Sequence, residues 1–320
     1  MMRVARNPAI AAPLFATPRP VIVQSCIEGA QGRVLIDREP DPRTAAAVLG
    51  DFAYLAGARS AAFLEGLMAA GPFPVSLQIL IPCNPGWTRL LEEQAGHGLV
   101  RHTRYATMAP AAFDCDRLRW LANPPEGTVL QPLDASTYAL CRTETWSCDL
   151  VSQFPSAERF DTSALGVVAL ASGRVVSGAS TYARSRSAIE IEVDTHPAWR
   201  RRGLARACSA ALILSCAARG IRASWDAHTE ASLTLARQLG YALDHAYTAY
   251  LIERALSSYT ILTHRHTRRR GAHGPHAYPH AEELRSRRAP RALRRRHRDE
   301  RTGSRRPMGA GLLAHRPAAF

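Results

Sequence analysis

The sequence predicts an α/β protein that ends in a disordered basic tail. Three observations carry the prediction. Between 126 and 254, strand-like and helix-like segments follow one another in the order β-α-α-β-β-β-α-β-α-β. A smaller α/β stretch over 21–125 precedes them, closed by the Pro124-Pro125 cluster that marks a domain boundary. After 254 the apolar periodicity stops. The expected division is thus a flexible N-terminus over 1–20, an N-terminal α/β domain over 21–125, a second domain over 126–254 and a tail over 255–320.

In the first domain, "PVIVQSCIEGAQGRVLID" alternates across a glycine-containing turn and reads as a hairpin. "TAAAVLGDFAYLAG" and "SAAFLEGLMAAG" read as two alanine-rich helices, each stopped by glycine. "VSLQILIP" is a strand, "GWTRLLEEQAG" a helix, "LVRHTRYATM" a strand and "FDCDRLRWLANPPEG" a helix. Trp87, Trp120 and Trp146 are expected in the core.

In the second domain "TVLQPLD" is a strand, "ASTYALCRTETW" a helix, and "DLVSQFPSAERFDTS" a second helical or loop segment. "LGVVALASGRVVSGASTYARSRSAIEIEVDT" supplies three strands, the first two joined at Ser172-Gly173. An alanine-rich helix follows, with Leu204, Cys208, Ala211, Leu212 and Ser215 on one face and Gly220 as its stop. "IRASWDA", "ASLTLARQLG" and "AYTAYLIE" complete the order as strand, helix and strand.

Composition narrows the function classes. The chain has 320 residues, 46% of them hydrophobic, enough for a sizeable core. No apolar run reaches the roughly 20 residues that cross a bilayer, so no membrane partner is expected. Pro8, Pro13, Pro18 and Pro20 interrupt the N-terminal apolar stretch, which argues against a secretory signal. Seven scattered cysteines without a CxxC pair read as reduced thiols of a cytoplasmic protein and offer no metal site. All 41 basic residues are arginine, and the net charge of +14 is uneven: residues 261–320 hold sixteen arginines against four acids, leaving only +2 for the rest. The tail could attract nucleic-acid phosphates, but beyond Tyr278 no aromatic is interleaved with its arginine runs, and nucleic acid is not the expected partner.

Chemistry concentrates in "THPAWRRRGLA". Helix N-termini carry partial positive charge, so Arg200, Arg201 and Arg202 before Gly203 oppose the dipole unless an external anion sits there. A solvated arginine run is the simpler account of an isolated RRRG. The strand-to-helix context, with Pro197 shaping the turn and Gly203 admitting a ligand to the backbone, instead points to phosphate.

The eleven residues from Thr195 to Ala205 resemble the acetyl-CoA motif of the GNAT N-acetyltransferases. "DLVSQF", "VVSGASTY", "IEIEVDT" and "SWDAHTEASLTLARQLGY" are similar to the branch that includes the zwittermicin A self-resistance acetyltransferases, over roughly 113–254, with "FAYLAG" at 52–57 a weaker match. The resemblance implies the GNAT fold, a mixed central sheet flanked by helices, and acetyl-CoA as co-substrate. It implies pyrophosphate on Arg201, Arg202, Gly203, Leu204 and Ala205, assisted by Arg200 and Arg202, and pantetheine paired with the backbone of Val193 and Thr195. Thr229 stands where the family usually has a cofactor-contacting Asn, and Ala236 where a tyrosine acid is common. Tyr241, Tyr247 or solvent would then return the proton to the thiolate. Strand alternation in "AIEIEVD" sets Glu190, Glu192 and Asp194 on one face, where Glu190 or Glu192 is placed to take a proton from an incoming amine. The expected function is N-acetylation of a small-molecule amine. A degenerate acyl-CoA-binding protein, motivated by Thr229 and Ala236, and nucleic-acid binding through the tail are the alternatives.

Overall fold

A computed structural model of the chain describes residues 2–69, 79–95 and 98–252; the tail over 255–320 lies outside them. The first half comprises β1 (Arg3–Val4), a 3-10 turn (Pro8–Leu14), α1 (Val21–Ile27), β2 (Arg33–Ile36), β3 (Thr44–Leu49), β4 (Phe52–Gly57), α2 (Ala61–Met68), β5 (Ile79–Pro82), α3 (Pro85–Gln94) and β6 (Leu99–Met108). Helix α4 (Cys115–Leu121) leads into the second half. That half comprises β7 (Val129–Pro132), α5 (Ala135–Cys141), a 3-10 turn (Cys148–Leu150), α6 (Ala157–Ser163), β8 (Gly166–Ala171), β9 (Arg174–Arg184) and β10 (Ala188–Thr195). It ends with α7 (Leu204–Ala217), β11 (Arg222–Ser224), β12 (Asp226–Ala227), α8 (Glu230–Leu239) and β13 (Ala242–Ile252).

The two halves repeat one plan. Strands run in the order β1-β2-β3-β4-β5 in one sheet and β7-β8-β9-β10-β11 in the other, antiparallel until a final parallel pair, β4 with β5 and β10 with β11. Each half then gives its last strand to the other. β13 pairs with β5, β6 pairs with β12, and β6 and β13 pair with each other from Leu99↔Ile252 to Met108↔Ala242. The sheets therefore do not follow the expected division at 125/126.

Three local expectations are corrected. "TAAAVLGDFAYLAG" is the β3–β4 hairpin, not a helix: both strands are almost wholly buried, and a strand covered on both faces shows no alternation that would separate it from an alanine-rich helix. The β-branched "VIVQSCI" is helix α1, nearly all of it buried. Residues 3–15 are ordered rather than flexible, with β1 paired to β2 and with Ala11 and Phe15 buried. Trp87 is in the core as expected, whereas Trp120 is 69% exposed on α4 and Trp146 is half-buried.

Candidate active site

The halves enclose a cavity of about 1870 Å³. Its opening arises in β10. A bulge between Glu190 and Ile191 shifts the register against β9, and β10 pairs with β11 only through Ala188, Ile189 and Glu190. The chain then leaves for β6 as β12, so the edge of β10 beyond Glu190 has no strand beside it. His196 N–H donates to Val176 O at 3.0 Å, which sets the parity: even residues face β9 and the backbones of Val193 and Thr195 face the opening.

At one end of this splay is the start of α7. Gly203 sits at φ 85° and Arg201 at φ 66°, left-handed conformations that turn the chain into the helix. The helix has no side-chain cap, so its first N–H groups stay open, whereas Asp134, Ser156 and Thr229 cap α5, α6 and α8. Arg206, in the first turn, has its Nε buried with no hydrogen-bond partner among the described residues. An Nη of the same side chain lies 3.4 Å from where a Gly203 Cβ would be. An open helix start beside an orphaned guanidinium donor fits a phosphate. Arg206 escaped the sequence reading, although a cation in the first turn is the same anomaly as RRRG.

The arginines before Gly203 divide their roles. Arg200 Nε donates to Thr195 O at 3.1 Å, and Arg202 lies over the Trp199 ring at 4.7 Å. Leu204 is buried and anchors the helix start, while Arg201 and Arg202 are exposed and Ala205 half-buried. Thr195 N–H donates to Asp194 Oδ1 at 2.8 Å. An extended ligand on this edge must turn the Asp194 carboxylate off the backbone. Thr229 lines the cavity while its oxygen accepts from Ser232 N–H as the cap of α8.

At the other end is Glu190. It is 8% exposed, and its Oε1 has no partner among the described residues. Burial, then the nearby Asp226 carboxylate, pushes its pKa up to about 8. Asp226 itself belongs to a network joining the halves. Arg104 of β6 donates to its Oδ1 through Nε at 2.8 Å, with Nη2 paired to the same oxygen at 2.8 Å, and Tyr247 of β13 donates to Oδ2 at 2.8 Å. Arg104 Nη1 donates to His228 Nδ1 at 2.9 Å, and burial, then the Arg104 charge, lowers the His228 pKa to about 4, so the ring is a neutral acceptor.

Glu192 and Asp194 face the same cavity together with Asp51, from the β3–β4 turn, and Asp149, from the 3-10 turn. Burial, followed by Asp149, Asp194 and Asp51, raises the pKa of Glu192, and burial lifts Asp194 to about 6. Asp51 is fixed by Tyr182, whose hydroxyl donates to Oδ1 and accepts from the Asp51 N–H at 3.2 Å. Gly50, at φ 57°, permits this approach: a Cβ there would meet the Tyr182 hydroxyl. Asp51 carried no signal in the sequence, where "LGDF" reads as an ordinary turn.

Tyr241 is a correction. Its hydroxyl donates to Ala223 O at 3.1 Å inside a core with Trp225 and Phe113, and Tyr241 is not among the residues that line the cavity. Packing of the aromatic ring decided its place, and burial raises its pKa. Tyr247 is occupied by Asp226 and Arg104. Two tyrosines line the cavity among the described residues, Tyr182, which is held by Asp51, and Tyr54 of β4.

The fold and this cleft are those of an acyltransferase family. The chain matches the GNAT acetyltransferases over residues 12–250 and belongs to that family. It is 41% identical to a GCN5-related N-acetyltransferase-like protein from Streptococcus suis 89/1591, at a TM-score of 0.72 over 77% of this chain and 98% of that one. A GCN5-related N-acetyltransferase from Kribbella flavida shares the fold at 16% identity and a TM-score of 0.51, over 74% of this chain and 96% of the other. No curated protein matches the chain significantly. Among the described residues no helix is long and apolar enough to cross a membrane, and no group of His, Cys, Asp and Glu is arranged to hold a metal ion.

Proposed function

We propose that the protein is an N-acetyltransferase that moves an acetyl group from acetyl-CoA to a primary amine of a small molecule. The observation that carries this reading is the splay beside β10, with an open phosphate cradle at one end and a buried, half-unpartnered carboxylate at the other. The pyrophosphate would be held by the N–H groups after Gly203 with Arg206 and Arg202, and the pantetheine arm by the backbone of Val193 and Thr195. When bound, acetyl-CoA supplies the activated acetyl group as a thioester.

Glu190 does the protein's part of the chemistry. An ammonium must lose a proton before its nitrogen can attack, and a carboxylate whose proton affinity is raised towards that of the amine accepts it efficiently. The empty lone pairs of Oε1 face that task. Tyr54, on the cavity wall, would return a proton to the departing thiolate. Arg104 and Asp226 hold the floor beside Glu190 in one arrangement. The likeness to the zwittermicin A self-resistance branch supports an aminated small metabolite as acceptor, and the absence of paired cysteines is consistent with action in the cytoplasm.

Calorimetry with acetyl-CoA, followed by CoA-thiol release with a panel of primary amines, tests the reading. Binding together with amine-dependent release is expected. Binding without release from any amine would leave only an acyl-CoA-binding protein, and no binding would remove the proposal.

A further inference from the structure

The acceptor end of the cleft is more acidic than removal of one proton requires. Asp51, Asp149, Glu192 and Asp194 line the cavity together with Glu190, and the two halves both contribute. Among the described residues no cationic side chain lies within 4.0 Å of any of these five carboxylates. The arginines that share the cavity are otherwise placed. Arg104 is committed to Asp226 and His228, Arg200 gives its Nε to Thr195 O, Arg201, Arg202 and Arg206 surround the phosphate cradle, and Arg33 is exposed.

A second observation is independent of the charge count. Glu190 Oε1 is buried in the same cavity without a donor, and buried carboxylate oxygens are rarely left so. A donor from a ligand resolves it. The wall is also held in place: Tyr182 pins Asp51, and Ser180 Oγ donates to Leu150 O at 2.6 Å, tying the turn that carries Asp149 to β9.

We infer, resting on the acetyl-transfer reading above, that the acceptor is a small polyamine: one nitrogen goes to Glu190 for acetylation while a second, protonated nitrogen is held by the Asp51–Asp149–Glu192 wall. Two residues along a strand span about 6.5 Å, so the two nitrogens are separated by roughly that distance. 1,5-Diaminopentane, extended, has a comparable separation, and 1-aminopentane is the same molecule without the second charge.

The test compares these two amines on the full chain. With acetyl-CoA, kcat/KM for the diamine should exceed that for the monoamine by at least about tenfold, as a close charge pair across an interface would give. Asp149→Asn, at an exposed position of the cleft, should shrink that ratio towards one. Equal kcat/KM for the two amines in the unaltered protein overturns the inference, and so does a ratio that Asp149→Asn and Asp51→Asn leave intact. Calorimetric titration of both amines without acetyl-CoA separates the two proposals. Tighter binding of the diamine with no acetylation of either would sink the transferase reading and keep the polyamine site, whereas acetylation of both at one rate would do the reverse.

Discussion

At Glu190 the proposed catalytic role and the stability of the fold pull in opposite directions. Its pKa rises from the ordinary 4.5 to about 8 because burial and Asp226 oppose its charge, so the folded chain favours the protonated form. The stabilisation this gives is fully present below the unfolded value and is lost as pH climbs through about 8. Glu190→Gln removes the titration while keeping the shape. The variant should therefore melt at a higher temperature than the unaltered protein at pH 9, by an amount corresponding to a few kcal/mol, and close to it at pH 5. Thermal melts at the two pH values decide it. An equal difference at both would show that Glu190 is not buried as described.

Arg206 makes the matching residue-scale claim at the cofactor end. Its unpartnered Nε is expected to become a charge-assisted donor to phosphate, worth about 1.5–3 kcal/mol, or roughly tenfold to a hundredfold in affinity. Arg206→Met should weaken acetyl-CoA by that factor in calorimetry without lowering the melting temperature. Unchanged affinity would place the phosphates elsewhere.

At the scale of elements, the second half was legible because its signals are local. Gly203 before an alanine-rich helix and the "AIEIEVD" alternation each correspond to a piece of the cleft, and the Ser172-Gly173 turn joins β8 to β9 as its glycine predicts. The first half hid its strands because its core positions are alanine: Ala45, Ala46, Ala47, Ala53 and Ala56 are fully buried in β3 and β4, where pairing between strands overrides their helical preference. The site residues that were missed share a cause. Asp51, Arg104 and Tyr54 come from that half and meet the cleft only through tertiary contact, and Tyr241 was misplaced because spacing along the sequence does not say that its ring packs on Trp225.

The halves also differ where their plans correspond. Between β4 and α2 the chain has only Ala58, Arg59 and Ser60, and the Ser60 hydroxyl caps α2 by accepting from Phe63 N–H at 3.2 Å. β3 and β4 pair without a bulge from Thr44↔Gly57 to Leu49↔Phe52, and β4 stays paired with β5. The first half thus has neither splay nor open helix start, and serves as the wall of the second half's site.

For the whole molecule, exchange of β6 and β13 makes the halves interdependent. Arg104, Asp226 and Tyr247 draw β6, β12 and β13 into one buried polar knot, and breaking such a pair typically costs about 3–5 kcal/mol. A chain ending before Ala242 should therefore lose the first half's sheet as well as the site, and the full chain should unfold in one cooperative transition. Circular dichroism and calorimetry of the two chains read this directly. Native-like secondary structure and a sharp transition in the shortened chain would mean that β13 does not hold the halves together.

The proposed role of Glu190 as the group that takes the amine's proton is measured most directly by the pH dependence of acetyl transfer. With acetyl-CoA and a primary amine that the protein accepts, kcat should rise with pH through an inflection near 8, because only the ionised carboxylate can receive the proton. Glu190→Gln should be slower by at least about 10² at neutral pH and lose that inflection, recovering partly at high pH where the amine is already free of its proton. A variant that keeps the rate and the inflection of the unaltered protein would contradict the account.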